Sequence, residues 1–452
     1  MRANKEYATP YTFANALTKG DIATKLSFLI CGAGNMIRKQ FVKGLMFLAI
    51  EVAYILFMVQ NGIGHLKMLP SLGWLEQQKV YNEKKGIYEY VAGHNSVTIL
   101  LYGVITVVLS ILFIVFWIQN IKSAYKVECL KKEGKHVNTI IDDIKDLFNG
   151  DLHKTLMAIP LTGIGAFTVL PLVFMISMAF TNYSKPDNLV LFDWVGLANF
   201  KKVLSFSDSI GRQFWSVLGW TLVWAVSATL LNYILGMILA IVINRKGTRF
   251  KAFWRFCFIL SIAIPQFVSL LIVRTMFSQE GAVNVLLKSW GVISESIPFW
   301  TDKNWARVMV IIINLWVGIP YTLMQATGIL QNIPAELYES AKVDGANAVV
   351  TFFKITLPYM MFVMTPYLIT QFTGNVNNFN VIFLLSGGNP TPVGDSAGKT
   401  DLLVTWLYKL TVDQQYFNLG SVIGIMTFIV LAIVALGTYR NTNSYKDEEG
   451  FQ

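Results

Sequence analysis

The chain has 452 residues, of which 54% are hydrophobic, 13% aromatic and only 14% charged, with a net charge of +10. Soluble domains carry about 25% charged residues, so this composition excludes an ordinary soluble domain and points to an all-α polytopic membrane protein. The positive charge flanks apolar runs and forms no dense Lys/Arg tract with interleaved aromatics, which sets nucleic-acid binding aside.

In chain order, residues 1–40 form a polar head carrying Arg2, Lys5, Lys19, Lys25, Arg38 and Lys39. Its first 25 residues lack an apolar stretch of signal-peptide type, so the first span is expected to act as the signal. Apolar runs near 41–60, 97–119, 156–180, 214–243, 254–276, 308–329, 358–379 and 419–439 predict about eight transmembrane helices. At 1.5 Å per residue each crosses about 30 Å of hydrocarbon. The least regular is 358–379, whose second half holds several asparagines. Glu51 lies inside the first run, and a structural or interfacial role is expected for it rather than a proton path.

Orientation follows the Lys/Arg bias. The head and the loop "NRKGTRFKAFWR", with Arg245, Lys246, Arg249, Lys251 and Arg255 and no acid, belong in the cytoplasm. Eight spans then place both termini there, including the tail 441–452. The loop 61–96 is the imperfect case, since Lys67, Lys79, Lys84 and Lys85 are offset there by three glutamates. The mixed-charge connection 121–154 is expected to be cytoplasmic, with "DDIKDLFNGDLHK" as a surface helix. The loops 181–213, 277–306 and 380–418 face outside, with Trp194, Trp300 and Trp305 as interface anchors. The organisation expected is a head, two accessory spans and connection over 1–155, a six-span core over 156–440, and the tail 441–452.

Two spans carry polar stripes. In the sixth, Asn314, Val317, Gly318 and Tyr321 fall at i, i+3, i+4 and i+7. In the seventh, Gln371, Gly374, Asn375 and Asn378 repeat that spacing. Amides suit sugar hydroxyls, a tyrosine ring stacks on a sugar face, and glycine permits close approach. Polar side chains in hydrocarbon face either a cavity or a partner helix, so a sugar path and helix packing both remain open. Pro320 sits where it can open the helix beside such a path.

Between these spans lies "ELYESAKVDGANAVVTFFKITLP", residues 336–358. Pro334 suits a helix start. Asp344-Gly345 reads as a stop and turn. A second helix is expected over about 347–355, with Pro358 opening the seventh span. The unit is a small helix-turn-helix built to dock, or else a loop helix resting on the membrane. Further on, Leu385–Asn389 reads "LSGGN", like an ATPase signature. No GxxxxGK[ST] accompanies it, so a Gly-Gly turn at a helix exit is expected and no ATP hydrolysis. No catalytic triad or carboxylate dyad stands out. Cys31, Cys129 and Cys257 form no CxxC pair, and the four histidines lack metal-ligand spacing, so no metal site is expected.

The pattern Glu339-Ser340-Ala341-x-x-Asp344-Gly345, then nine residues, then Ile355-x-Leu357-Pro358, resembles the coupling loop of ABC-importer permeases, with Ser340 where the family has alanine. "FTNY", "VGLANF", "FILSIAIPQF", "NNFNVIFLLSGG" and "TDLLVTWLYKL" are similar to the binding-protein-dependent sugar branch. The likeness covers most of 156–440 and is greatest to the maltose/maltodextrin type with extra N-terminal spans. It implies a type I ABC-importer permease fold, with loop 334–358 seated in a separate ATPase subunit. It also implies a second homologous permease, two ATPase subunits and an extracytoplasmic sugar-binding protein as partners. ATP and Mg would be bound by the ATPases and no cofactor by this chain. The residues implied to line the sugar site are Asn314, Gly318, Tyr321, Asn375 and Asn378, whereas Gln371 and Gly374 depart from the family pattern. Some relatives insert a large folded domain after span three, where this chain has only 181–213. Two other classes stay open: an ion-coupled secondary transporter, which needs intramembrane acids, and a membrane-embedded glycosyltransferase, which needs acidic metal-binding pairs.

Overall fold

A computed structural model describes residues 11–82, 85–185, 190–245 and 247–440. Arg2, Lys5, Lys84, Lys246 and the tail 441–452 lie outside them. The described chain is helical apart from one hairpin. In order it contains α1 (Phe13–Lys19), α2 (Ile22–Leu26), α3 (Ala33–Ile37), α4 (Phe41–Met68), the strands β1 (Gln78–Asn82) and β2 (Ile87–Val91), α5 (Ser96–Lys132), α6 (Ile140–Phe148) and α7 (Leu152–Met178). There follow α8 (Ala198–Leu204), α9 (Ser209–Asn244), α10 (Lys251–Ala263), α11 (Gln266–Met276), α12 (Ala282–Ser289), α13 (Lys303–Asn332), α14 (Ala335–Val343), α15 (Ala348–Val376), α16 (Phe379–Leu385), α17 (Leu403–Tyr408) and α18 (Phe417–Arg440).

Among the described residues seven helices are long and apolar enough to cross a membrane: α4, α5, α7, α9, α13, α15 and α18. The fifth expected span, 254–276, is not one helix. It breaks between α10 and α11 with a bend of 89°. Pro265 has no N–H to continue the ladder, and its ring pushes Ile264 out of the helical region, to φ −81° and ψ 125°. The expected loop 61–96 also holds more structure than its sequence suggested. β1 and β2 pair antiparallel, with Val80 opposite Glu89 and Tyr81 opposite Tyr88.

Contacts divide the chain into two compact units. The first runs from the head through α7 and the 190–196 segment. Its head helices are fastened by buried polar groups. Arg38, buried, donates to Asp21 (2.5 Å), Thr24 (2.9 Å) and the Gly34 and Ala124 carbonyls (3.0 and 3.2 Å). Glu128 on α5 accepts from the Thr24 hydroxyl (2.6 Å) and pairs with Lys132 (2.5 Å). Asn120 on the same helix accepts from the Gly32 N–H (2.7 Å) and donates to the Ser27 carbonyl (2.9 Å). Glu51 accepts from the Cys31 N–H (2.8 Å), so the acid inside the first span has a structural partner. A buried charge is costly unless it is paired and hydrogen-bonded, and here each donor meets an acceptor.

The second unit holds α8 to α18. Its post is α9, a 36-residue helix with 16 buried positions. Trp220, Trp224 and Ala228 on α9 pack with Leu270, Ile313, Val376 and Ile382 in one core cluster. Tyr233, Met237 and Ala240 pack with Leu323, Met360 and Met364 in a second. The α9–α13 crossing is close because small residues lie on both sides. A Cβ on Gly318 would stand 2.0 Å from Asn232 Nδ2, and one on Gly236 would stand 2.7 Å from Thr322 Cβ. Small residues at such crossings let backbones approach, the dominant source of helix association in lipid.

Gly318→Ala is therefore expected to lower stability by about 1–3 kcal/mol through overpacking, read as earlier loss of the folded chain in detergent on heating. Asn232→Ser, which shortens the facing side chain, should restore it in the double variant. Equal stability of G318A and the parent would show that the crossing is loose.

Candidate functional site

The loop between α13 and α15 is a helix-turn-helix. Pro334 caps α14, and Asp344 ends it. Gly345 has φ +76°, the left-handed conformation that non-glycine residues adopt only at a cost, and nothing stands within 4 Å of where its Cβ would be. The Ala346 N–H returns to the Ala341 carbonyl (2.8 Å) and the Gly345 N–H to Lys342 (3.1 Å), satisfying carbonyls that the helix end leaves open. Asn347 caps the next helix by accepting from the Val350 N–H (2.9 Å). The expected short second helix with a fresh start at Pro358 is corrected here. The helix runs unbroken from Ala348 to Val376, widening to a π-type turn over Phe352–Thr356. Pro358 needs no break, because its missing N–H falls beside that widened turn, where the i→i−4 ladder is already altered.

The two limbs are joined by Tyr338 and Thr356, whose hydroxyls lie 3.1 Å apart. Glu339, Ser340, Asp344, Gly345 and Pro358 are exposed, and Ala341, Ile355 and Leu357 are half-buried. Val343 is 88% exposed and Val349 64%, so the tip of the loop presents apolar side chains that no other described residue covers. The second limb of the loop continues without a break into the seventh span.

The polar stripes of the two spans separate into two groups. Gly318 and Asn375 face the α9 post. Gly318 receives Asn232, and Asn375 Nδ2 donates to Thr229 on α9 (3.0 Å). These two act in helix packing in this conformation. Asn314 is 2% exposed, and its amide nitrogen has no hydrogen-bond partner among the described residues. Val317 is half-buried against the first core cluster. Tyr321 is 48% exposed, Gln371 is half-buried, and Gly374 is exposed with open space beyond it. Asn378 does not continue the α15 face, which corrects the i+7 spacing. The helix ends at Val376, and Asn378 instead caps α16, accepting from the Val381 N–H (3.2 Å). Three asparagines in four positions compete with the backbone for hydrogen bonds, and that competition ends the helix.

Sequence reasoning missed the tie that holds this helix end. Trp224 on α9 donates its indole N–H to the Asn375 carbonyl (3.0 Å), which the Asn378 N–H also reaches (3.2 Å) where α15 stops. It also missed a buried ion pair beside "LSGGN". Asp401, fully buried, accepts from Lys409 Nζ (2.6 Å), the Gly398 N–H (2.6 Å) and Thr405 (2.9 Å). Gly387 and Gly388 adopt φ +59° and +84° at the exit of α16, and a Cβ on Gly388 would stand 2.0 Å from the Asp401 carboxylate. The two glycines form the helix-exit turn and leave room for that ion pair. The lone Asp and Lys are eight residues apart, a spacing that carries no signal of its own.

Residues 232–443 match the family described as binding-protein-dependent transport system inner membrane component. The chain is 35% identical over 428 residues to the galactooligosaccharides transport system permease protein GanP of Bacillus subtilis (strain 168), across 93% of this chain and 97% of that one. It is 33% identical over 451 residues to the maltodextrin transport system permease protein MdxF of the same organism, across 96% and 99%. A crystal structure of a bacterial ABC transporter involved in the import of the acidic polysaccharide alginate shares the fold at a TM-score of 0.55 and 23% identity, over 66% of this chain and 96% of that chain. With the helix-turn-helix set between two membrane-length helices, these likenesses assign the chain to the binding-protein-dependent transport system inner membrane components, the multi-pass permeases of ABC importers.

Proposed function

We propose that this chain is the membrane-spanning subunit of an ATP-driven importer of maltose/maltodextrin-type oligosaccharides. The observation that carries the reading is the exposed helix-turn-helix 335–358, continuous with the seventh span and uncovered by the other described residues. The names of the full-length relatives supply the substrate class, with galactooligosaccharides as the second candidate sugar. A second homologous permease would complete the path. Two ATPase subunits would hold ATP and Mg and receive the loop, and an extracytoplasmic binding protein would deliver the sugar. The loop, the head and both termini would lie on the cytoplasmic side of a bacterial inner membrane. An ion-coupled transporter is disfavoured by Glu51, whose carboxylate is occupied by the Cys31 N–H.

In this reading ATP binding closes the ATPases around the loop, with Glu339, Ser340 and Ala341 on the first limb and Ile355, Leu357 and Pro358 on the second. Gly345 lets the chain reverse between them. The movement of α15 then shifts Gln371 and Gly374 relative to Tyr321 on α13. Tyr321 offers an exposed ring for a sugar face, and Gln371 offers amide donors and an acceptor for its hydroxyls. Gly318 and Asn375 hold the two helices on the α9 post, and these two and the buried Asn314 reach sugar only if the helices part.

Gly345→Val should abolish sugar uptake in cells while the chain still inserts in the membrane, because valine is strained at φ +76°. Uptake at the parental rate would sink the docking role. Tyr321→Ala should lower uptake about tenfold, near 1.4 kcal/mol of lost transition-state binding. Binding-protein-stimulated ATP hydrolysis by the purified complex should persist in Y321A, and loss of both together would mean that Tyr321 is structural.

A further inference from the structure

The connection between the second and third long helices carries α6, whose two faces are cleanly divided. Ile140, Ile141, Ile144, Leu147 and Phe148 recur at helical spacing and are between 44% and 69% exposed. Asp142, Asp143, Lys145 and Asp146 occupy the other face. The acids are engaged by their own unit. Asp143 pairs with Lys43 (3.3 Å) and accepts from Asn138 (3.3 Å). Asp146 accepts from Asn138 (2.8 Å), which in turn takes a bond from Gln40 on its carbonyl (2.8 Å). Asp142 accepts from the Thr139 N–H (2.9 Å) and lies 3.0 Å from His136 Nε2. These contacts, the Thr139 N–H first, hold the Asp142 carboxyl well below its ordinary range, at about 2. The acidic face therefore turns toward the protein, and the apolar face turns away from it.

The height of the helix is set by its tethers. Lys43 stands in the first turn of α4, and Leu152 opens α7, both helices of membrane-crossing length. Thr155 in the first turn of α7 donates to the Leu147 carbonyl (2.8 Å), stitching the end of α6 to that span. The exposed apolar side chains continue from α6 onto α7, where Leu156 is 66% and Ile159 82% exposed. We infer that α6 is an interfacial helix, lying on the membrane surface with Ile141, Ile144 and Phe148 sunk into the lipid boundary beside the first and third spans. Lys43 offsets the charge of Asp143, and the acids stand on the face turned away from the lipid, which limits their repulsion by an anionic leaflet. The occupant is lipid, because the apolar face is continuous with a surface that α7 presents to the bilayer. This inference does not depend on which sugar is carried.

The test uses the full chain in nanodiscs of phosphatidylethanolamine and phosphatidylglycerol, with Cys129→Ser and Cys257→Ala removing the less buried thiols. Ile144→Cys, Phe148→Cys and Lys145→Cys are labelled one at a time with an environment-sensitive fluorophore. Lipids carrying a nitroxide near the carbonyl should quench the probes at 144 and 148 several-fold more than the probe at 145, and aqueous iodide should do the reverse. Iodide reaching 144 and 148 as readily as 145 would overturn the inference. The same labels are then read in the purified complex with its ATPase. Lipid quenching that persists there supports a lipid-facing helix, and probes shielded from both quenchers would assign the face to a protein partner and overturn it.

Discussion

In hydrocarbon a backbone N–H or carbonyl has no water to bond, so each must find its partner inside the chain. That single constraint makes every long apolar segment of this protein a helix and makes each helix break costly. The breaks are accordingly few and individually supported. At Pro265 the missing N–H removes one obligation, and the bend separates α10 from α11. Below the seventh span the ladder widens at Phe352–Thr356 and carries α15 past Pro358 without interruption. At Val376 the helix stops, and the Trp224 indole joins the Asn378 N–H on the Asn375 carbonyl.

Trp224 shows why α9 organises the second unit. Its tryptophans bury large rings in the core and still carry one donor each to an acceptor outside their own helix. Trp220 donates to the Thr400 carbonyl (3.2 Å), beside the buried Asp401–Lys409 pair. Arg307 stacks over the Trp220 ring at 4.2 Å and donates to the Lys399 carbonyl (2.9 Å). One helix thus fixes the end of α15, the approach to α17 and the crossing with α13. Tyr321, Gln371 and Gly374, the residues proposed to meet the solute, keep exposed or half-exposed positions.

The helix-turn-helix is built by local chemistry. Gly345 supplies the reversal, the Tyr338–Thr356 contact ties the limbs, and α15 runs on past Pro358 into the seventh span. Apolar side chains stay exposed at the tip, as the docking role proposed for the loop requires.

Much of this was legible in the sequence, because hydrophobic length and charge bias are local properties. The spans, the Gly345 turn and the Gly-Gly exit after α16 follow from residue type and spacing alone. The coupling motif was readable for the same reason, its residues lying within one short segment. The polar stripes were only half legible. Spacing placed Asn375 and Asn378 on one face, but whether a helix persists to Asn378 depends on competing hydrogen bonds that periodicity does not weigh. Whether an asparagine faces a neighbour or a cavity depends on which helix lies opposite, and that is decided by packing between segments far apart in the chain, 146 residues for Asn375 and Thr229. Sequence determined the helices and the helix-turn-helix loop, because each is set by a short stretch of chain. Tertiary structure alone decided that Gly318 and Asn375 meet α9 while Tyr321 stays open, because helix rotation is fixed by the small residues at the crossing and not by any one span.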